Sequence, residues 1–396
     1  MPEYLSPGVY VEEIEIGGKP IEGVSTSTAG FVGMTQHVTG DGFDNDSLLD
    51  KPTLVTSWGQ FVTNYGRYEK DKAPHLPPAV YGFFANGGSR CFVIRVKDGA
   101  GDGDYVGTDN GPGNRTGLQG FNEVDDVNIV CIPGITSKTV QTAMITHCEN
   151  MKDRFCILDS VKDAGMTEIQ NQKNDVVSDK GFGALYYPWI KAPVETVESG
   201  KVTLIQEFIP SSGYIAGIYA RSDTERGVHK APANEIVRGA LEPKLIITKG
   251  EQDILNPKGI NCIRAFPGRG IRVWGARTTS ADPLWKYINV RRLLLYIEES
   301  IDEGTQWVVF EPNNEKLWGR VKATITEFLT RVWRDGALLG TKPEEAFFVK
   351  CDRTTMTQDD IDNGRLICII GVAPVKPAEF VIFRIAQWAG GSAVTE

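Results

Sequence analysis

Four histidines, seven cysteines and two aspartate clusters are the side chains of this 396-residue chain from which catalysis or metal binding could be built. The histidines are His37, His75, His147 and His229. Only His147 adjoins a nucleophile, Cys148, and adjacent residues on a helix point apart by about 100°, too far for a base to reach the thiolate. The cysteines (Cys91, Cys131, Cys148, Cys156, Cys262, Cys351, Cys368) form no Cys-x-x-Cys pair of the kind zinc and redox sites use. Several sit in apolar runs, 128–132 and 366–370 among them, and read as reduced thiols acting as small hydrophobes. There is no Gly-x-Ser-x-Gly elbow and no Gly-x-x-x-x-Gly-Lys-Ser/Thr phosphate cradle, and the glycines of 99–107 lack a strand-to-helix context. Neither Asp41, Asp44, Asp46 nor Asp98, Asp102, Asp104 fits a twelve-residue calcium loop closed by Glu. These residues argue against a hydrolase or a nucleotide- or metal-dependent enzyme, and no cofactor is expected.

A different chemistry is written along one helix. It opens near Asn313 after Pro312 and repeats Trp318, Val321, Ile325, Phe328 and Val332 at three-four spacing, a stripe that faces a core. Its other side carries Lys316, Arg320, Arg331 and Arg334 in one row with Thr324 and Glu327. The chain as a whole has a net charge of -9, which disfavours nucleic acid as a partner, because phosphate binding needs clustered Lys and Arg. The row is either a merely solvated helix face or one with a function of its own.

The elements that must hold these residues follow from the hydrophobic pattern. With 41% hydrophobic and 23% charged residues, the chain has the composition of a folded protein, and its length suggests two or three lobes. Residues 1–30 lack a charged, then apolar, then small-residue leader, and no apolar run reaches about 18 residues, so a soluble chain made in the cytoplasm and not inserted in a membrane is expected. Residues 1–22 read as an arm. Val9 and Val11, then Ile14 and Ile16, change phase at Glu12-Glu13, as in a bulged strand, and Gly17-Gly18-Lys19-Pro20 leaves that strand without a neighbour in sequence. Residues 23–254 alternate strands (28–34, 91–96, 127–132, 155–158, 183–190, 202–209) with helices (57–65, 76–86, 139–150), an α/β domain, with a Gly-, Asp- and Asn-rich surface insertion at 98–120. Residues 255–375 form a C-terminal core domain. After a loop-rich passage at 253–278 it holds a helix capped by Asp282 with Pro283 at its first position and Tyr287, Val290, Leu294, Ile297 and Ile301 on one stripe, followed by the helix of the basic row. In 376–396, beyond the stiff Pro374-Val375-Lys376-Pro377 connector, comes a strand with Val381, Phe383 and Ile385 on one side and Phe380, Ile382, Ala386 and Trp388 on the other. It is either the last strand of its own sheet or one that pairs with another subunit, which would remove the hazard of a free apolar edge.

In order and spacing, these stretches resemble one known family along the whole chain: the tail sheath proteins of contractile phages, R-type bacteriocins and extracellular contractile injection systems. The resemblance is carried by Ser6–Ile14 (SPGVYVEEI), Pro52–Gly66 (PTLVTSWGQFVTNYG), Ala79–Val96 (AVYGFFANGGSRCFVIRV), 210–234, Leu255–Thr278 (LNPKGINCIRAFPGRGIRVWGART), Tyr287–Ile301 (YINVRRLLLYIEESI) and Phe310-Glu-Pro-Asn-Asn314. It implies a structural subunit, not an enzyme, with a mixed α+β fold: an α/β sheath domain and a C-terminal α+β domain completed by strands from neighbouring copies. Six copies would form a ring, and rings would stack around an inner tube in an extended metastable form that contracts when a baseplate rearranges. Implied partners are further copies, the inner tube protein, baseplate and terminator or cap proteins, and sister sheath proteins where they exist. The particle would assemble in the bacterial cytoplasm as a phage tail or a tail-like device. The linking strands would map to Val9, Tyr10, Val11, Ile14 and Ile16, and to Phe380, Val381, Ile382, Phe383, Ile385 and Trp388. The resemblance places the C-terminal domain innermost, so Lys316, Arg320, Arg331 and Arg334 would face the tube, with Arg291-Arg292 on the preceding helix as the competing contact. The 98–120 segment is too short for the decorating domain of larger relatives.

Overall fold

The apolar runs Ala29–Met34 and Cys91–Val96 lie side by side in parallel, Ala29 opposite Cys91 and Met34 opposite Val96. Strands covered on both faces tolerate apolar residues at successive positions, which is why these runs do not alternate. The computed structural model describes residues 20–40, 42–382 and 384. Within them, β1 (Ala29–Met34), β2 (Thr53–Val55), β3 (Cys91–Val96), β4 (Ile129–Cys131), β5 (Phe155–Asp159) and β6 (Gly183–Tyr187) share one sheet. A long hairpin, β7 (Ile190–Glu198) and β8 (Lys201–Ile209), leaves it and joins β9 (Glu242–Pro243) in a second sheet, before β10 (Ile260–Phe266) and β11 (Gly270–Trp274) return to the first. The eight strands run β11-β10-β6-β5-β4-β1-β3-β2, parallel except at the edges, where β11 and β2 are antiparallel to their neighbours.

Around this sheet pack α1 (Trp58–Tyr65), α2 (Leu76–Asn86), α3 (Lys138–Met151), α4 (Met166–Asp175) and α5 (Ser212–Arg226). The backbones of α2 and α5 meet closely. A Cβ on Gly213 would lie 2.2 Å from the Ala79 carbonyl oxygen and one on Gly82 2.0 Å from the Tyr214 ring, so only glycine permits this crossing. Because α5 is buried on all sides over most of its length, it shows no amphipathic stripe.

A second core is built by Leu293 and Ile297 of α6 (Ile288–Gly304), by Trp318, Val321, Ile325, Phe328 and Val332 of α7 (Glu315–Arg334), and by Phe347 and Val349 of β12 (Phe347–Lys350), which pairs antiparallel with β13 (Ile369–Val372). Ile288 and Leu295 of α6 belong to the first core. The helix therefore lies between two cores and buries more than the single stripe expected of it.

The structure revises several boundaries. Residues 255–274, expected in the C-terminal domain, supply β10 and β11 of the large sheet: Ile260 pairs with Leu185 of β6. Their apolar positions are interrupted by Asn, Arg and Gly, which hid two strands in an apparent loop. The 98–120 segment is only partly a surface excursion. Tyr105, Leu118 and Phe121 are buried against the sheet, and buried Arg154 donates to the Phe121 carbonyl at 2.8 Å and the Val124 carbonyl at 3.2 Å. Helix α6 begins at Ile288, not at Asp282. The Asp282 carboxylate accepts from Leu284 N at 2.8 Å in a local turn, and Thr278 N donates to the Lys286 carbonyl, so the intervening chain is held in non-helical pairing. Ile21, placed in the arm by sequence, is buried in the second core, and Val24 N donates to Ser300 Oγ at 3.1 Å.

Candidate functional site

In open α/β sheets, ligands bind outside the carboxyl ends of the strands where the strand order reverses. Here that place lies beyond β1 and β4, and it is filled by the chain itself. His75 packs edge-on against Trp189 at 5.4 Å and so close to Gly134 that a Cβ there would fall 2.5 Å from the imidazole; burial, with the Lys162 charge adding to it, holds His75 down at about 4. Asp159, ending β5, is buried and pushed up by burial. Its carboxylate accepts from Ser212 N (2.8 Å), Ser212 Oγ (2.6 Å) and Gly134 N (3.1 Å), which pins the start of α5 to the strand ends.

Among the described residues, the other histidines, cysteines and clustered aspartates do not converge on one cleft. His147 is buried with its Nε2 3.5 Å from Arg154 Nη1, and burial and that charge hold it down at about 3. Burial pushes the Cys148 thiol up, away from thiolate. Among the described residues, His37, Asp44 and Asp46 are the one His/Cys/Asp/Glu group whose ligating atoms lie within 4.8 Å of each other; Asp41 lies outside the described residues. Arg95 already supplies positive charge there, 2.9 Å from Asp46 and 3.5 Å from Asp98. Asp104 is paired with Lys97 at 2.9 Å.

The basic row does stand on one exposed face of α7. Lys316, Arg320, Arg331 and Arg334 are exposed, while Thr324 falls at the edge of the core stripe and is buried. Arg320 stacks on the Trp307 ring at 4.5 Å, and Arg331 donates to the Ile21 carbonyl at 2.5 Å. The competing pair is excluded as a surface: Arg291 and Arg292 are 3% and 4% exposed and paired with Glu298 and Asp223. Sequence reasoning took them for a helix surface because a doubly covered helix has no outer side to reveal.

The ribbon of β12 and β13 is the second candidate surface. Phe347 lies opposite Val372 and Lys350 opposite Ile369, and among the described residues no further strand is assigned to this sheet. Phe348 and Ile369 are 57% and 47% exposed. A two-stranded ribbon with apolar residues in water is marginal by itself.

The chain leaves this region by an anchored route. Val375 N donates to the Ala337 carbonyl at 3.1 Å, and Asn289 Nδ2 to the Val375 carbonyl at 3.1 Å. The Glu379 carboxylate then takes both arms of Arg277 (2.8 and 2.7 Å), Asn256 Nδ2 (2.7 Å) and the Tyr287 hydroxyl (3.1 Å). Beyond this clamp Phe380, Val381 and Ile382 are exposed; Phe383, Ile385 and Trp388, like Val9, Tyr10, Val11, Ile14 and Ile16, lie outside the described residues. Burial raises the Glu379 pKa, but the hydrogen bonds from Arg277 and Asn256 outweigh it and hold the group below its ordinary 4.5. A depressed carboxylate stabilises the fold fully above its unfolded value, and that contribution is lost as pH falls through the lowered one. Charge-assisted hydrogen bonds are worth about 1.5–3 kcal/mol. Glu379→Gln should therefore increase protease cleavage of the 374–382 connector by about tenfold or more at pH 7, and acidification through the lowered pKa, below the ordinary 4.5, should bring the unsubstituted chain toward the same rate. Equal cleavage of both chains at pH 7 would dismiss the clamp.

The chain is similar to known proteins along its length. Residues 99–279 match the phage tail sheath protein central domain, and residues 280–387 the phage tail sheath C-terminal domain. The tail sheath protein of Escherichia phage P2 is 24% identical over 326 residues, 77% of each chain. A chain of the PVC sheath complex, an extracellular contractile injection system in the contracted state, superposes with a TM-score of 0.77 at 30% identity, covering 98% of this chain and 99% of that one. The anti-feeding prophage helical sheath in its contracted state gives 0.74 at 33% identity over 96% and 99%.

Proposed function

Since the chain belongs to the phage tail sheath family and is a structural subunit of a contractile sheath, we propose that copies of it stack as six-fold rings around an inner tube and drive that tube through a target envelope by contracting. The observation that carries this reading is the likeness, over nearly the full length, to chains solved in contracted sheaths. The free energy for the stroke is stored in contacts between copies, so this chain consumes no nucleotide. A metastable extended lattice relaxes once a baseplate releases its first ring; terminator or cap proteins and any sister sheath proteins complete the particle, which assembles in the bacterial cytoplasm.

Strand addition links the copies in this reading. Residues 9–16 of one neighbour and 380–388 of another complete the β12–β13 ribbon, giving its edges main-chain partners and covering Phe348 and Ile369. Both described chain ends support such an exchange. Ile21 is held in the second core and Glu379 by Arg277, Asn256 and Tyr287, so each linking segment departs from a fixed point. The basic row of α7 faces the tube, where exposed ion pairs contribute about 0–1 kcal/mol each, weak enough for a contact that must release.

Size is the direct test. The purified full chain should elute as heterogeneous, very large assemblies that electron microscopy resolves as tubes. A single sharp peak of a small oligomer at all concentrations would refute the polymer.

A further inference from the structure

The turn between α6 and α7 exposes an aromatic knob. Phe310 is wholly exposed and Val309 is 59% exposed. Phe310 also holds φ at 68°, a left-handed conformation that bulky side chains rarely adopt. Among the described residues it is the one aromatic with positive φ. Such strain persists only where the surroundings over-determine it, and it collects at functional positions.

The surroundings here are rigid. Val309 N donates to the Gln306 carbonyl and Glu311 N to the Val308 carbonyl, at 3.2 and 3.1 Å. Pro312 follows. Asn313 accepts from Trp318 Nε1 at 2.7 Å and donates to the Arg365 carbonyl at 3.1 Å, and Asn314 caps α7 by accepting from Leu317 N at 3.0 Å. The backbone that carries the ring is therefore fixed, so the ordering entropy still to be lost when a partner covers it is that of the side chain.

Its place on the molecule selects the partner. Trp307, three residues before Phe310, carries the Arg320 guanidinium on its ring at 4.5 Å, and Lys316 lies one helical turn before Arg320. The knob thus stands at the N-terminal end of the basic row. We propose that Val309 and Phe310 form the apolar anchor of the tube contact, entering a recess on an acidic face of the inner tube protein while Lys316 and Arg320 pair with the acidic rim. This rests on the reading that the row faces the tube. A large apolar side chain seated in a desolvated pocket is the kind of residue that dominates binding.

The test uses the full chain, produced with and without the tube protein of its own particle. Phe310→Ala and Phe310→Gly should lower co-assembly with the tube by about tenfold or more, scored as tube-filled sheaths by electron microscopy. Tube-free assembly of the chain should be unchanged. Glycine takes a φ of 68° without strain, so the melting temperature of Phe310→Gly should stay level or rise, separating lost docking from misfolding. Normal co-assembly of both variants overturns the proposal. So does an equal loss of tube-free assembly, which would place the knob between copies. Lys316→Glu with Arg320→Glu tests the underlying reading separately. Normal co-assembly of that pair removes the tube-facing row and the proposal with it, whereas its loss alongside normal Phe310→Ala removes the knob alone.

Discussion

A chain lacking residues 1–18 should fold, melt within a few degrees of the full chain and form no long tubes. The fold is expected to survive because these anchoring contacts are kept: Ile21 is in the second core, Val24 N is bonded to Ser300 Oγ, and Arg331 reaches the Ile21 carbonyl. Polymerisation is expected to fail because each link is a short ladder whose hydrogen bonds are worth about 1 kcal/mol net apiece. Losing several of them at every subunit removes several kcal/mol per link, each 1.4 kcal/mol being tenfold in affinity. A chain ending at Phe380 should behave alike. That end point keeps Glu379, so Arg277 retains its counter-charge and the loss reports on the strand and not on the clamp. Electron microscopy of both purified truncations decides the matter: sheaths of ordinary length from either would refute linking by exchanged strands.

Arg292→Ala should cost about 3–5 kcal/mol of stability, the range for stripping one partner from a buried ion pair. Arg292 and Asp223 are 4% and 6% exposed. The guanidinium donates to both Asp223 carboxylate oxygens at 2.9 and 2.6 Å and to the Thr26 carbonyl at 2.9 Å, and the Thr26 hydroxyl donates back to Asp223 at 2.7 Å. The same guanidinium lies over the Tyr219 ring at 4.7 Å, and the Tyr219 hydroxyl meets that of Tyr186 at 2.8 Å. One residue of α6 thus ties together the N-terminal segment, α5 and the large sheet. Arg292→Lys should recover only part of the loss, since an ammonium cannot span both oxygens and stack on a ring. Pairing Arg292→Met with Asp223→Leu should recover more, because no buried charge is then left alone. Urea unfolding of the three variants beside the unsubstituted chain measures this. A loss below about 1 kcal/mol for Arg292→Ala would mean that water reaches the pair.

Elements with a clean periodic signal were readable. Cys91–Val96 and Leu76–Asn86 fall at their expected bounds, and α7 shows the expected core stripe of Trp318, Val321, Ile325, Phe328 and Val332. What escaped were elements whose burial is not periodic. Helix α5 is covered almost all round, and the Arg291-Arg292 pair looks like surface in any one-dimensional pattern, because nothing in a sequence reveals that two cores will enclose the same helix. Strands β10 and β11 were hidden for a related reason: Arg264 and Arg272 are only partly buried and lie opposite each other across the ladder, so their charge is tolerated within the sheet.

The sequence by itself determined the family, the mixed α/β fold and the absence of the known catalytic motifs, since these reside in residue order and local periodicity. The tertiary structure decided which charges are exposed. It put Arg292 on Asp223 and left Lys316, Arg320, Arg331 and Arg334 on the outer face of α7. It also decided where the chain is anchored, at Ile21 and Glu379, and where it strains, at Phe310. Those outcomes depend on which surfaces meet across long stretches of chain: the carboxylate at 379 meets a guanidinium 102 positions earlier.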